Sequence, residues 1–201
     1  MYESLKWNII TYILDKDVHC PAGKIADFFV HGNPEDFDDV YQFGKQVDIL
    51  TFEIENINIK ALQTLKEEGL QIIPDPSILA LVQDKGLQKQ FYQQHYFPTA
   101  SFQLFNNKDE IIEAIKNKQI SFPFIQKTRV GGYDGKGVQL IQKNDDMHKI
   151  FDVPSVLEEK VNIAKEISLI VARNLQGEVK FFPTVEMQFD VEAHLVEMLI
   201  S

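Results

Sequence analysis

Cysteine is nearly absent from this sequence. The single one, Cys20, rules out an internal disulfide and a cysteine-based zinc cluster, and it fits a reducing compartment as a small packed residue. No apolar run approaches the roughly 20 residues of a membrane-spanning helix, and the N-terminus lacks the basic-then-apolar order of a signal peptide. A cytoplasmic protein is therefore expected. Basic charge is also scarce: the net charge is −10, so a general nucleic-acid surface, which needs clustered Lys and Arg, is not expected. The deficit is uneven, because residues 1–80 carry 14 acids against 6 lysines, a net −8, and leave −2 for residues 81–201. An anionic ligand is expected in the second part, at a local site.

What the sequence does contain, at 201 residues and 44% hydrophobic, is enough apolar material for one large domain or two small ones. In the first part, short apolar runs ("ITYILDKD", "IADFFVHG", "VDILTFEIEN") alternate with segments of helical spacing ("NPEDFDDVYQFGKQ", "INIKALQTLKEEG"). Such alternation predicts an open α/β unit with a parallel sheet. The Pro-containing "IIPDPSILA" closes this part and places a boundary near residues 76–80, giving domains of 1–79 and 80–201. The second part reads as α+β. Helices are predicted in "DKGLQKQFYQQHY", in "NKDEIIEAIKNK" and around Asp145 to Phe151. Strands are predicted in "ASFQLF", "FPFIQKT", "GVQLIQ" and "SVLEEKV", then in "KEISLIVARN", "EVKFFPTVEMQF" and "AHLVEMLIS", the last three as half-buried antiparallel strands. The chain opens on helix-like sequence and closes inside an apolar run, so both ends are expected to be cut.

The stretch "QKTRVGGYDGKG", Gln126 to Gly137, has four glycines and three basic residues between two predicted strands. Glycines let backbone N–H groups approach phosphate oxygens and permit positive φ. The order matches neither a Walker loop nor a dinucleotide fingerprint. The glycines alone therefore fit a phosphate-covering flap and a plain hairpin turn equally. Lys127 favours the flap, since an ammonium ending an apolar strand is costly unless it meets an anion. Lys85 is a second candidate cation. Downstream, "VLEEKVNIAKE" brings Glu158, Glu159 and Glu166 together after a strand, where acids could bind ribose hydroxyls and a base amino group or simply lie on a solvated turn.

Taken together, "FIQKTRVGGYDGKGV", "LEEKVNIAKEISLIVAR", "VDILTFEIENI" and "LVQDKGLQKQFY" resemble the N5-carboxyaminoimidazole ribonucleotide synthetase family of ATP-grasp enzymes, the ATPase subunits of phosphoribosylaminoimidazole carboxylase. The resemblance spans essentially the whole chain. It implies a Rossmann-like N-terminal (pre-ATP-grasp) domain, its first strand missing, followed by the N-terminal part of an ATP-grasp domain. It also implies Mg²⁺-ATP, bicarbonate and 5-aminoimidazole ribonucleotide as reactants in purine synthesis, with carboxyphosphate formed first, and commonly a homodimer.

By the same resemblance Lys85 and Lys127 contact phosphates, and Gly132, Tyr133, Asp134, Gly135, Lys136, Gly137 and Val138 form the flap. Glu158, Glu159, Lys160 and Val161 form the adenine hinge, and Glu166 holds the ribose. Tyr133, Asp134 and an acid of "FEIEN", Glu55 or Glu53, face the imidazole nucleotide or bicarbonate. Strand alternation would put both of these acids on one face, so spacing does not choose between them. The family's opening "GGGQLG"-like turn and its metal-binding acid and Asn-Glu pair are not found between Met1 and Ser201, and "VEMQF" stands where many members carry a histidine. The 201-residue chain alone is accordingly expected to have little or no activity. Two other readings remain, a formate- or glycine-using purine ligase of the same group and a silent nucleotide-binding module.

Overall fold

A computed structural model describes residues 2–132, 137–190 and 195–200. These divide into two compact units, Met1–Gln88 and Lys89–Ser201. No helix among the described residues is long and apolar enough to cross a membrane.

The first unit opens with α1 (Tyr2–Leu5) and β1 (Tyr12–Asp15), then runs through β2 (Phe28–His31), α2 (Phe37–Gly44), β3 (Ile49–Thr51), α3 (Ile59–Glu67), β4 (Gln71–Ile73) and α4 (Pro76–Gln83). Its strands pair in parallel, β1 with β2 and β3 with β4, as strand–helix alternation predicts. Each helix start is written locally. The Asp36 carboxylate accepts from the N–H groups of Asp38 and Asp39 to cap α2, Asn58 accepts from Ala61 N to cap α3, and Asp75 accepts from Ser77 N with Pro76 in the first turn of α4. The apolar faces so aligned bury Val40, Leu50, Ala61, Leu62, Leu65, Ile72 and Leu79 in one cluster. Gly44 permits this packing, since a Cβ there would collide with the Leu65 side chain.

Helix α5 (Lys85–Gln94) leads into the second unit, where β5 (Phe102–Phe105), α6 (Lys108–Lys116), β6 (Phe124–Thr128), β7 (Val138–Ile141) and β8 (Ser155–Glu159) follow. The four strands form one antiparallel sheet in the order β5-β8-β6-β7. Cross-strand partners share a face. The register therefore puts Phe124, Leu157 and Ile141 on one face, where they form a core with Ile111 of α6 and with Ile150. Buried Gln126 lies on that same side and is fully partnered. Its Nε2 donates to Phe151 O at 3.0 Å and Ser155 Oγ at 2.9 Å, while its Oε1 accepts from Phe151 N at 2.9 Å. The amide thereby ties β6 to Phe151, in the segment after the 3₁₀ turn Asn144–Lys149, and to the first residue of β8.

The remaining strands are β9 (Glu166–Ser168), β10 (Val171–Arg173), β11 (Val179–Phe181), β12 (Val185–Phe189) and β13 (Val196–Ile200). They are antiparallel, in the orders β13-β12-β9 and β10-β11. Two expectations need correction here. The runs "KEISLIVARN" and "EVKFFPTVEMQF" are each not one strand but two, because Glu166–Ser168 pairs with Val185–Phe189 whereas Val171–Arg173 pairs with Val179–Phe181. Nor are most of these strands half-buried: Ile167 is 65% exposed and Phe181 66%, and among the described residues only β12 has a partly buried stretch, at Val185–Met187.

Candidate functional site

Lys127 lies next to last in β6, its backbone opposite Val156 of β8, and Glu158 lies opposite Ile125. Alternation therefore sends Lys127 and Glu158 to the same face of the sheet, the one away from the α6 core, as diagonal neighbours. There Lys127 Nζ donates to Glu158 Oε2 at 3.0 Å. The anion that the sequence demanded for Lys127 is thus, in this structure, another of the predicted site residues. A third member was not foreseen: Lys89 of α5 pairs with Glu158 Oε1 at 3.2 Å and donates to Thr99 Oγ1. Its ammonium also stands 5.8 Å from the centroid of Phe102, the cross-strand partner of Glu158. Side-chain exposure is 10% for Glu158, 11% for Lys89 and 31% for Lys127. Two ammonium groups share one carboxylate, so the cluster formed by Lys89, Lys127 and Glu158 carries a positive excess. The surroundings suit an incoming anion, and Lys127 is the more accessible of the two cations.

The glycine loop is the connection between adjacent antiparallel strands, so it is a hairpin, but its nine residues from 129 to 137 exceed a tight turn. Its foot is fixed by Thr128 N donating to Gly137 O at 2.8 Å. Gly137 has φ +79°, and a Cβ there would strike Thr128 Oγ1 and stand 3.1 Å from Gly132 Cα, so only glycine fits. Thr128 Oγ1 is buried without a hydrogen-bond partner among the described residues. By strand alternation this hydroxyl projects to the α6-core face, opposite Lys127, and the close approach of Gly132 and Gly137 closes the loop at its foot. Tyr133, Asp134, Gly135 and Lys136 lie outside the described residues. Val138 opens β7 and is exposed.

Glu159 points to the opposite face from Glu158, and its N–H donates to Ser101 O at 3.0 Å. Lys160 and Val161 follow as exposed, non-strand backbone, and Glu166 opens β9 at the surface. Lys85 opens α5 and belongs to the first unit. The placement of Glu53 and Glu55 corrects the argument made for them. Strand β3 ends at Thr51, so both lie in the following loop, exposed, where strand alternation does not apply. That loop is held instead by α4: Gln83 Nε2 donates to the carbonyls of Glu55 and Ile57. No local signal marked Lys89, since a lysine on a polar helix reads as solvated.

Two family models match the chain, a ribonucleotide synthetase preATP-grasp domain over residues 1–83 and an ATP-grasp domain over residues 90–196. Among curated proteins, the N5-carboxyaminoimidazole ribonucleotide synthase of Staphylococcus aureus is 33% identical over 178 residues, covering 87% of this chain and 47% of that protein. A crystal structure of the Staphylococcus aureus N5-carboxyaminoimidazole synthetase complexed with ADP superposes with TM-score 0.88 at 30% identity, over 97% of this chain and 52% of that one. The Aspergillus clavatus carboxyaminoimidazole ribonucleotide synthase complexed with ATP gives TM-score 0.84 at 27% identity, over 94% and 50%. The chain spans about half the length of the relatives it matches. With a matching model across most of its second unit, a glycine loop joining two antiparallel strands and a lysine at the loop's foot, the chain belongs to the ATP-grasp family.

Proposed function

We propose that this chain supplies the nucleotide site of an enzyme that carboxylates 5-aminoimidazole ribonucleotide with bicarbonate at the expense of Mg²⁺-bound ATP. The product would be N5-carboxyaminoimidazole ribonucleotide, a step of purine biosynthesis, made by a cytoplasmic homodimer. The observation that carries the reading is the Lys127–Glu158 pair, on the open face of the sheet at the foot of the glycine loop, in a chain whose relatives bear that enzyme's name.

Phosphoryl transfer asks a protein mainly for positioning and for neutralisation of charge on the transferred group. Lys127 and Lys85 are suited to the phosphates, and Gly132 to Val138 to covering them with backbone N–H donors. Glu158, Glu159, Lys160 and Val161 would take the adenine and Glu166 the ribose hydroxyls. Glu55, Tyr133 and Asp134 would face the imidazole nucleotide or bicarbonate.

The test is an assay on the protein at its natural length with ATP, 5-aminoimidazole ribonucleotide and ¹³C-bicarbonate. Label should enter an N-carboxy product with one ADP formed per carboxylation, and formate should not replace bicarbonate. Incorporation of formate would assign the chain to a different ligase, and ATP binding without turnover on any of these substrates would assign it to a binding module.

A further inference from the structure

The arrangement around Glu158 raises a difficulty for the nucleotide reading, on which this inference rests. If Lys127 is to reach a phosphate, it must leave Glu158 Oε2, and a carboxylate with 10% of its side chain exposed would then lose a counter-charge. Abandoning a buried carboxylate costs far more than breaking a surface ion pair. Lys89 resolves the difficulty. It holds the other oxygen, Oε1, at 3.2 Å. Its own position is fixed by Thr99 Oγ1 and the Phe102 ring. A lysine is almost never this buried unless paired, and here its partner is the same carboxylate that holds Lys127.

We propose that Lys89 is a positioning residue: it keeps Glu158 compensated and in place, so that Lys127 is free to exchange the carboxylate for a phosphate. Among the described residues Glu158 meets two cations, one on each oxygen, with unequal duties. The Lys89 side stays closed while the more exposed Lys127 side opens. Without Lys89, Glu158 would bind Lys127 as its sole counter-charge and compete with the ligand for it.

The experiment measures binding of ATP and of adenosine by calorimetry to the protein at its natural length. Lys89→Met should weaken ATP by about tenfold or more while adenosine changes by less than about threefold, because the loss falls on the phosphate contact. Lys89→Arg should recover most of the ATP affinity. The double variant Lys89→Met/Glu158→Gln leaves no buried charge unpaired, and it should bind ATP within about threefold of Glu158→Gln alone, since nothing then retains Lys127. This comparison also serves if Lys89→Met by itself does not fold. Equal losses for ATP and adenosine, or a double variant about tenfold weaker than Glu158→Gln, would overturn the inference and reduce Lys89 to a packing role. A wild-type protein that binds adenosine nucleotides normally while Lys89→Met does the same would also overturn it. Failure of the wild type to bind ATP at all would instead remove the nucleotide reading beneath it.

Discussion

At the scale of single residues, the decisive feature is how each charge meets its counter-charge. Asp75 shows this outside the site. The Lys66 ammonium, hydrogen-bonded to its Oδ2, and then the Ser77 N–H hold its carboxyl down to about 2 from an ordinary 3.8. A depressed folded-state value means that the ionised form supports the fold. That support is complete above pH 3.8 and disappears as pH falls through about 2. A carbon NMR titration should therefore place the Asp75 midpoint near 2, and Lys66→Met should return it toward 3.8. An unmoved midpoint in that variant would mean that the Ser77 N–H and hydroxyl set it without Lys66. The same residue-level view explains what the sequence disclosed. Lys127 was legible because it interrupts an apolar strand. Lys89 was not, because a lysine on a polar helix looks solvated until Glu158, far along the chain, is seen to lie against it.

At the scale of elements, apolar periodicity located α3, α5 and α6 within about two residues, because the signal is local, as in the spacing of Ile111 and Ala114 in α6; the Pro-containing segment read as a boundary is instead β4 and α4, with Asp75 as the cap of α4. Where partners are distant, local signals failed. The loop carrying Glu53 and Glu55 is shaped by the Gln83 amide of α4, and the division of "KEISLIVARN" follows from two different pairing strands. Element contact also yields a prediction at Gly44, the last residue of α2. Alanine there would gain about 0.5–1 kcal/mol of helix preference but overpack Leu65, a penalty of about 1–3 kcal/mol. Leu65 is 1% exposed and has nowhere to retreat, so the collision should prevail. Gly44→Ala should lower the urea midpoint, and an unchanged or raised midpoint would show that the α2–α3 contact relaxes freely.

At the scale of the whole molecule, the division into Met1–Gln88 and Lys89–Ser201 bears on how a ligand is felt. ATP at about 100 times its Kd would stabilise whatever it binds by about 2.7 kcal/mol. Hydrogen exchange should slow in β6 and β8, which carry Lys127 and Glu158, more than in β1 and β2; uniform slowing across both units would contradict a site built on the second sheet. The broad order of the two units was readable, since alternation marks the first and the glycine loop with its acids marks the second. Burial in the later strands was not, because apolar composition states what a strand could cover and not whether anything lies over it. One consequence remains in β13, whose five residues are all exposed and which, among the described residues, pairs only with β12. An open strand edge is a template for another strand, whatever its source. Against such chance pairing the chain carries its surplus of ten negative charges, which works as a colloidal barrier between copies.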